Sequence, residues 1–129
     1  MNNSFKGISI VVPTYNEQAN IEPLVKAIDE VFSKAKITYE LIFIDDHSTD
    51  QTWFTISDLA TTYPIILNKK QGKRGKAFSI YEGVGYAQYD VIGMIDADLQ
   101  YPPDAIPGMI KELEKFDVVV ANRKAYRDS

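Results

Sequence analysis

Two hydrophobic periods alternate along the chain. Consecutive apolar runs at Ile8-Ser9-Ile10-Val11-Val12, Leu41-Ile42-Phe43-Ile44, Ile65-Ile66-Leu67, Val91-Ile92-Gly93-Met94-Ile95 and Val118-Val119-Val120-Ala121 read as buried strands. Between them apolar residues recur at helical spacing. The first helical face carries Ile21, Leu24, Val25, Ile28, Val31 and Phe32, and the second Trp53, Ile56, Leu59 and Ala60. The third carries Ala77, Ile80, Tyr81, Val84 and Ala87, and the fourth Ile106, Met109, Ile110, Leu113 and Phe116. These stripes, Trp53 and Met109 included, are expected in the core. Pro23 fits the first helix only within its opening turn. Thr49 or Asp50 is placed to cap the second helix. Gly83 and Gly85 weaken the third by about 1 kcal/mol each relative to alanine, which close packing would explain. No internal repeat or low-complexity linker interrupts the pattern.

Strands alternating with helices imply an α/β fold, a mostly parallel sheet covered by helices on both faces. Right-handed crossovers bring the strand ends to one edge. Three polar segments follow strands and should line that edge: Thr14-Tyr15-Asn16-Glu17, Asp45-Asp46-His47 and Asp96-Ala97-Asp98. Residues two apart in a strand point the same way, so the Asp96 and Asp98 carboxylates are expected to emerge together. Open α/β sheets bind ligands just outside the carboxyl ends of their strands. Two carboxylates there, with the amide oxygen of Gln100, suit a hard divalent cation carrying phosphates. Gln71-Gly72-Lys73-Arg74-Gly75-Lys76 forms a polar loop whose cations are either solvated or in reach of phosphate.

Composition narrows the class. The 129 residues are 45 % hydrophobic and 25 % charged, which fits one globular domain. The net charge of −4 argues against nucleic acid as the main partner. There is no cysteine, hence no disulfide framework, thiolate metal site or thiol nucleophile. No apolar run approaches the roughly 20 residues that span a bilayer. The N-terminus lacks a signal-peptide pattern, so the expectation is a cytoplasmic chain. Neither G-x-G-x-x-G after the first strand nor a Walker-type loop is present, which weighs against dinucleotide and P-loop chemistry.

Val11-Val12-Pro13-Thr14-Tyr15-Asn16-Glu17, Asp45-Asp46-His47-Ser48-Thr49-Asp50 and Asp96-Ala97-Asp98-Leu99-Gln100-Tyr101-Pro102-Pro103-Asp104 resemble, in order and spacing, the family 2 glycosyltransferases. Leu99-Gln100 and the paired prolines point to the polyprenyl-phosphate sugar transferases, the dolichyl-phosphate mannose synthase type. Arg74-Gly75-Lys76-Ala77 is similar to the basic loop of that group, and Asn122-Arg123 to its arginine motif. The resemblance covers nearly the whole chain. It implies a GT-A type, Rossmann-like nucleotide-sugar-binding fold as a single domain over residues 1–129.

The resemblance also implies roles. Pro13, Tyr15, Glu17, Ile44 and Asp46 match positions that hold the donor nucleoside. Asp96, Ala97, Asp98 and Gln100 match positions around a metal, Mg²⁺ or Mn²⁺, and the diphosphate. Asp96, Asp98 and Arg123 match catalytic positions, Arg123 near the sugar and the acceptor phosphate. Lys73, Arg74 and Lys76 are candidate phosphate contacts. The implied reaction is inverting transfer from a UDP- or GDP-sugar to a polyprenyl phosphate, with the site near the cytoplasmic face of a membrane. Transfer to a saccharide hydroxyl, or nucleotide-sugar binding without turnover, are the alternatives. His47 stands where the family usually has glycine, so a different loop conformation is expected there. Ala121-Asn122-Arg123 replaces the usual Gly-Ser-Arg. The family's catalytic domain continues past this arginine. The chain is therefore expected to be the donor-binding part of a longer enzyme, with weak nucleotide binding, little lipid transfer alone and self-association through its last strand.

Overall fold

The computed structural model describes residues 6–98. Seven elements alternate: β1 (Ile8–Thr14), α1 (Gln18–Ala35), β2 (Tyr39–Asp45), α2 (Thr52–Leu59), β3 (Ile65–Lys69), α3 (Lys76–Val84) and β4 (Val91–Met94). The strands form one sheet in the order β3-β2-β1-β4, and every pairing is parallel. The parallel α/β architecture expected from the hydrophobic pattern is therefore present. The helix and strand expected over residues 106–121 lie outside the described residues, as do Gln100 and Arg123.

Strand alternation divides the core between two faces. Ile8, Ile10 and Val12 of β1 join Leu41 and Phe43 of β2 beneath α1 and α2, which contribute Ile21, Leu24, Val25, Ile28, Phe32, Ile56 and Leu59. Val11, Ile42 and Ile44 face the opposite side, where α3 lies across β1 and β2. At the far end of the sheet, Ser9 Oγ donates to the buried Glu40 carboxylate at 2.6 Å. The Gln88 backbone N–H donates to the same oxygen at 2.8 Å, which ties the approach to β4 onto β1 and β2.

Several local expectations change. Pro23 lies in the second turn of α1, beyond the opening turn. Ala19 and Pro23 are both exposed, so the carbonyl that loses its helical partner faces water. α2 begins at Thr52, and Asp50 supports its start from one residue further out, accepting from the Thr52 backbone N–H at 2.9 Å. Trp53 is half-buried rather than core, with the Lys69 ammonium 5.2 Å from its ring centre. β4 is less enclosed than a central strand, because Ile92 and Met94 are exposed.

The largest change is on α3. The stripe of Ala77, Ile80, Tyr81 and Val84 does not form the buried face; Ser79 and Gly83 do, and Tyr81 is 82 % exposed. A Cβ on Gly83 would lie 2.5 Å from Val11 Cγ1 and 2.7 Å from Cγ2. Close approach of helix to strand thus selects small residues, and this contact outweighs the apolar stripe. The expected close packing holds for Gly83. At Gly85 the nearest atom to an added Cβ is the Glu82 carbonyl oxygen at 3.3 Å.

Gly83→Ala separates two effects of opposite sign. Helix propensity alone would stabilise the variant by about 1 kcal/mol. Overlap with Val11 should instead destabilise it by about 1–3 kcal/mol. Urea denaturation of the two proteins reads the sign, and a more stable variant would contradict the contact.

Candidate functional site

The chain order reverses at β1. β1, β2 and β3 progress to one side, and the crossover through α3 returns to place β4 on the other side of β1. Beyond the carboxyl ends of β1 and β4 such a reversal opens a crevice, the usual ligand position in open α/β sheets. A cleft of about 330 Å³ lies there, lined by Pro13, Thr14, Tyr15 and Glu17 after β1 and Asp46 after β2. Gly75, Lys76 and Ser79 line it from the start of α3, and Asp96, Ala97 and Asp98 from beyond β4.

Asp45 and Asp46 are adjacent but differently placed. Asp45 is buried and accepts from Thr14 Oγ1 at 3.1 Å, the Ser48 backbone N–H at 3.0 Å and Ser48 Oγ at 2.6 Å. It joins the end of β1 to the loop after β2. Asn16, at φ 51°, continues the tie by accepting from the Thr49 N–H at 2.8 Å. Asp46 turns into the cleft and accepts from Arg74 Nε at 3.2 Å. That hydrogen bond and the carboxylate charge raise the Arg74 pKa above its ordinary value. The same guanidinium carbon lies 5.5 Å from the centre of the Tyr15 ring.

His47 has φ 58°, the left-handed conformation that glycine adopts freely. The glycine-to-histidine departure thus keeps a backbone shape that glycine also allows, and the ring Nε2 reaches the Lys70 carbonyl oxygen at 3.0 Å. Lys70 was not among the residues expected at the site. It is almost fully buried, and its ammonium donates to the Gly75 carbonyl oxygen at 2.6 Å and to Ser79 Oγ at 2.7 Å. Gly75, at φ 119°, occupies a backbone region that favours glycine.

The two carboxylates of Asp96-Ala97-Asp98 both line the cleft, although β4 has ended at Met94. The turn after the strand, rather than strand alternation, brings them there. Ala97 between them is buried in the α1 and α2 side of the core. Asp96 Oδ1 accepts from Lys76 Nζ at 2.8 Å. Among the described residues no cluster of three or more His, Cys, Asp or Glu is arranged for a metal ion. Two carboxylates nonetheless fit Mg²⁺ or Mn²⁺, which take their other ligands from phosphate and water.

The cleft therefore gathers Pro13, Tyr15, Glu17, Asp46, Lys76, Asp96, Ala97 and Asp98. Ile44 does not line it; its side chain packs with Val11 and Ile42. Lys73 and Arg74 do not line it either: the Lys73 ammonium lies 5.9 Å from the centre of the exposed Phe78 ring, and Arg74 touches the lining through Asp46 and Tyr15.

A model of glycosyl transferase family 2 matches residues 9–129. The chain belongs to this family. Among curated family members, it is 33 % identical over 117 residues to a dolichol-phosphate mannosyltransferase of Pyrococcus furiosus, covering 90 % of this chain and 33 % of that protein. It is 33 % identical over 136 residues to an undecaprenyl-phosphate 4-deoxy-4-formamido-L-arabinose transferase of Aeromonas hydrophila, covering 100 % of this chain and 41 % of the relative. The chain thus spans about two-fifths or less of the length of these relatives.

Among solved structures, a mannosyltransferase from Pyrobaculum calidifontis in complex with GDP-Man and Mn²⁺ is 25 % identical with a TM-score of 0.66, over 86 % of this chain and 33 % of that one. A glucosyl-3-phosphoglycerate synthase of Mycobacterium tuberculosis, in complex with Mn²⁺, UDP and glucosyl-3-phosphoglycerate, shares the fold at 24 % identity. Its TM-score is 0.66, over 84 % of this chain and 39 % of that one. The described sheet and helices are thus those of the Rossmann-like GT-A glycosyltransferases.

The neighbouring aspartates should separate on mutation. Asp45→Ala leaves the Thr14 and Ser48 donors without their acceptor and should cost about 2–4 kcal/mol of stability. Asp46→Ala removes a pair whose arginine is exposed and should cost no more than about 1 kcal/mol. Thermal denaturation of both variants checks the contrast.

Proposed function

We propose that the chain holds the nucleotide-sugar donor of a glycosyltransferase whose acceptor is a polyprenyl phosphate. The observation that carries this reading is the convergence, in one cleft at the reversal of strand order, of Tyr15, Glu17 and Asp46 with Asp96, Asp98 and Lys76. The named activities of the Pyrococcus and Aeromonas relatives support the acceptor class.

Tyr15 offers an aromatic face for the base, and Glu17 and Asp46 offer acceptors for base or ribose donors. Asp96 and Asp98 would hold Mg²⁺ or Mn²⁺, which neutralises charge on the departing nucleoside diphosphate. Arg74 and Lys76 would meet phosphate oxygens after leaving Asp46 and Asp96. Arg123 is assigned to the acceptor phosphate by its motif alone. An acceptor phosphate oxygen attacks the anomeric carbon while the bond to the diphosphate oxygen breaks on the opposite face. Configuration at the anomeric carbon is inverted and the nucleoside diphosphate leaves. The acceptor oxygen is already anionic, so the step needs no strong general base. Such an acceptor would place the site beside a membrane. Among the described residues no helix is long and apolar enough to cross one.

Isothermal calorimetry with UDP and GDP, with and without MnCl₂, tests the donor site. Metal should tighten the preferred nucleotide by about tenfold, and Asp98→Asn should remove that gain. Equal affinity with and without metal in the parent protein would refute the metal role. Asp46→Ala should weaken the same nucleotide by about tenfold yet leave inorganic diphosphate nearly unchanged. Equal weakening of both ligands would remove Asp46 from the nucleoside site.

A further inference from the structure

Lys70 carries a charge that the nucleoside and metal assignments do not use. It directly follows β3 and is 3 % exposed. Its backbone N–H donates to the Asp45 carbonyl oxygen at 2.8 Å, so it is anchored to the end of β2. Its ammonium has two neutral acceptors, the Gly75 carbonyl oxygen at 2.6 Å and Ser79 Oγ at 2.7 Å. No carboxylate of the described residues lies within ion-pair distance of it. A buried cation held only by neutral groups is costly in the empty protein. An ammonium has three N–H donors, and these contacts use two. Both acceptors line the cleft.

We propose that Lys70 is a positioning residue for the diphosphate of the donor. It clamps Gly75 and the first turn of α3, and so fixes the two residues on either side of Gly75. Arg74 is thereby set against Asp46, and Lys76 against Asp96. The buried charge behind the clamp is complemented when an anionic diphosphate enters the cleft. A clamp serving only the fold would be met as well by an uncharged contact. The inference rests on the nucleotide-sugar reading given above.

The test compares a nucleoside diphosphate with its monophosphate by calorimetry in MnCl₂, on the full chain. The probe is whichever of UDP or GDP the parent protein binds, against UMP or GMP. Lys70→Met keeps a side chain of similar length without the charge. It should weaken the diphosphate by about tenfold or more and the monophosphate by less than about threefold, with little change in Tm. Ser79→Ala removes one acceptor and should shift the same ratio in the same direction by about threefold. It decides the matter if Lys70→Met does not fold. Equal losses for both nucleotides, or an unchanged ratio, would overturn the proposal while leaving the donor site standing. A parent protein that binds neither UDP nor GDP would overturn the donor reading and this inference with it.

Discussion

The parallel register of β1 on β2 sets Thr14 beside Asp45. At that point the two strands end together, and the Thr14 hydroxyl reaches the Asp45 carboxylate. Ser48 then closes the loop after β2 onto the same carboxylate. Every polar group that approaches the cleft from β1 or β2 leaves from this joint. A shift of one residue would turn Asp45 toward the opposite face and carry Asp46 out of the cleft, because neighbouring residues of a strand point to opposite sides. The buried aspartate therefore keeps its half-buried neighbour in place.

Two ion pairs close part of the cleft. Arg74 sits on Asp46 and Lys76 on Asp96, two of the carboxylates that line it, while Lys73 lies over Phe78. Arg74 and Lys76 are largely exposed while their carboxylate partners are mostly buried, so the mobile member of each pair is the cation.

The hydrophobic rhythm made the α/β class, the parallel sheet and the polar strand ends after β1, β2 and β4 legible in the sequence. The position of the cleft was less so, since apolar runs do not reveal strand order. Only the reversal at β1 distinguishes this crevice from other points on the same edge. Asp96 and Asp98 reach the cleft through a turn, so the strand-alternation argument put them on the same edge by a different geometry. Lys70 was missed although it occupies the carboxyl end of a strand, the same signal that found the other groups. It lies just before the Gln71–Lys76 loop, the segment from which the candidate phosphate contacts were drawn. On α3 the period was right but the face was wrong, because periodicity weighs apolar area whereas Gly83 is set by clearance from Val11 and Ser79 accepts from Lys70.

That clearance also limits how the site can respond to a ligand. Gly83 brings the α3 backbone against Val11 in a strand paired on both sides. The contact opposes any movement of the helix toward the sheet, and a close-packed contact has little compressibility. Adjustment is left to residues 71–75 and to the long side chains of Arg74 and Lys76. Rearrangement at this end of the cleft is then a matter of rotamers and loop torsions, fast motions over a helix that acts as a fixed rail.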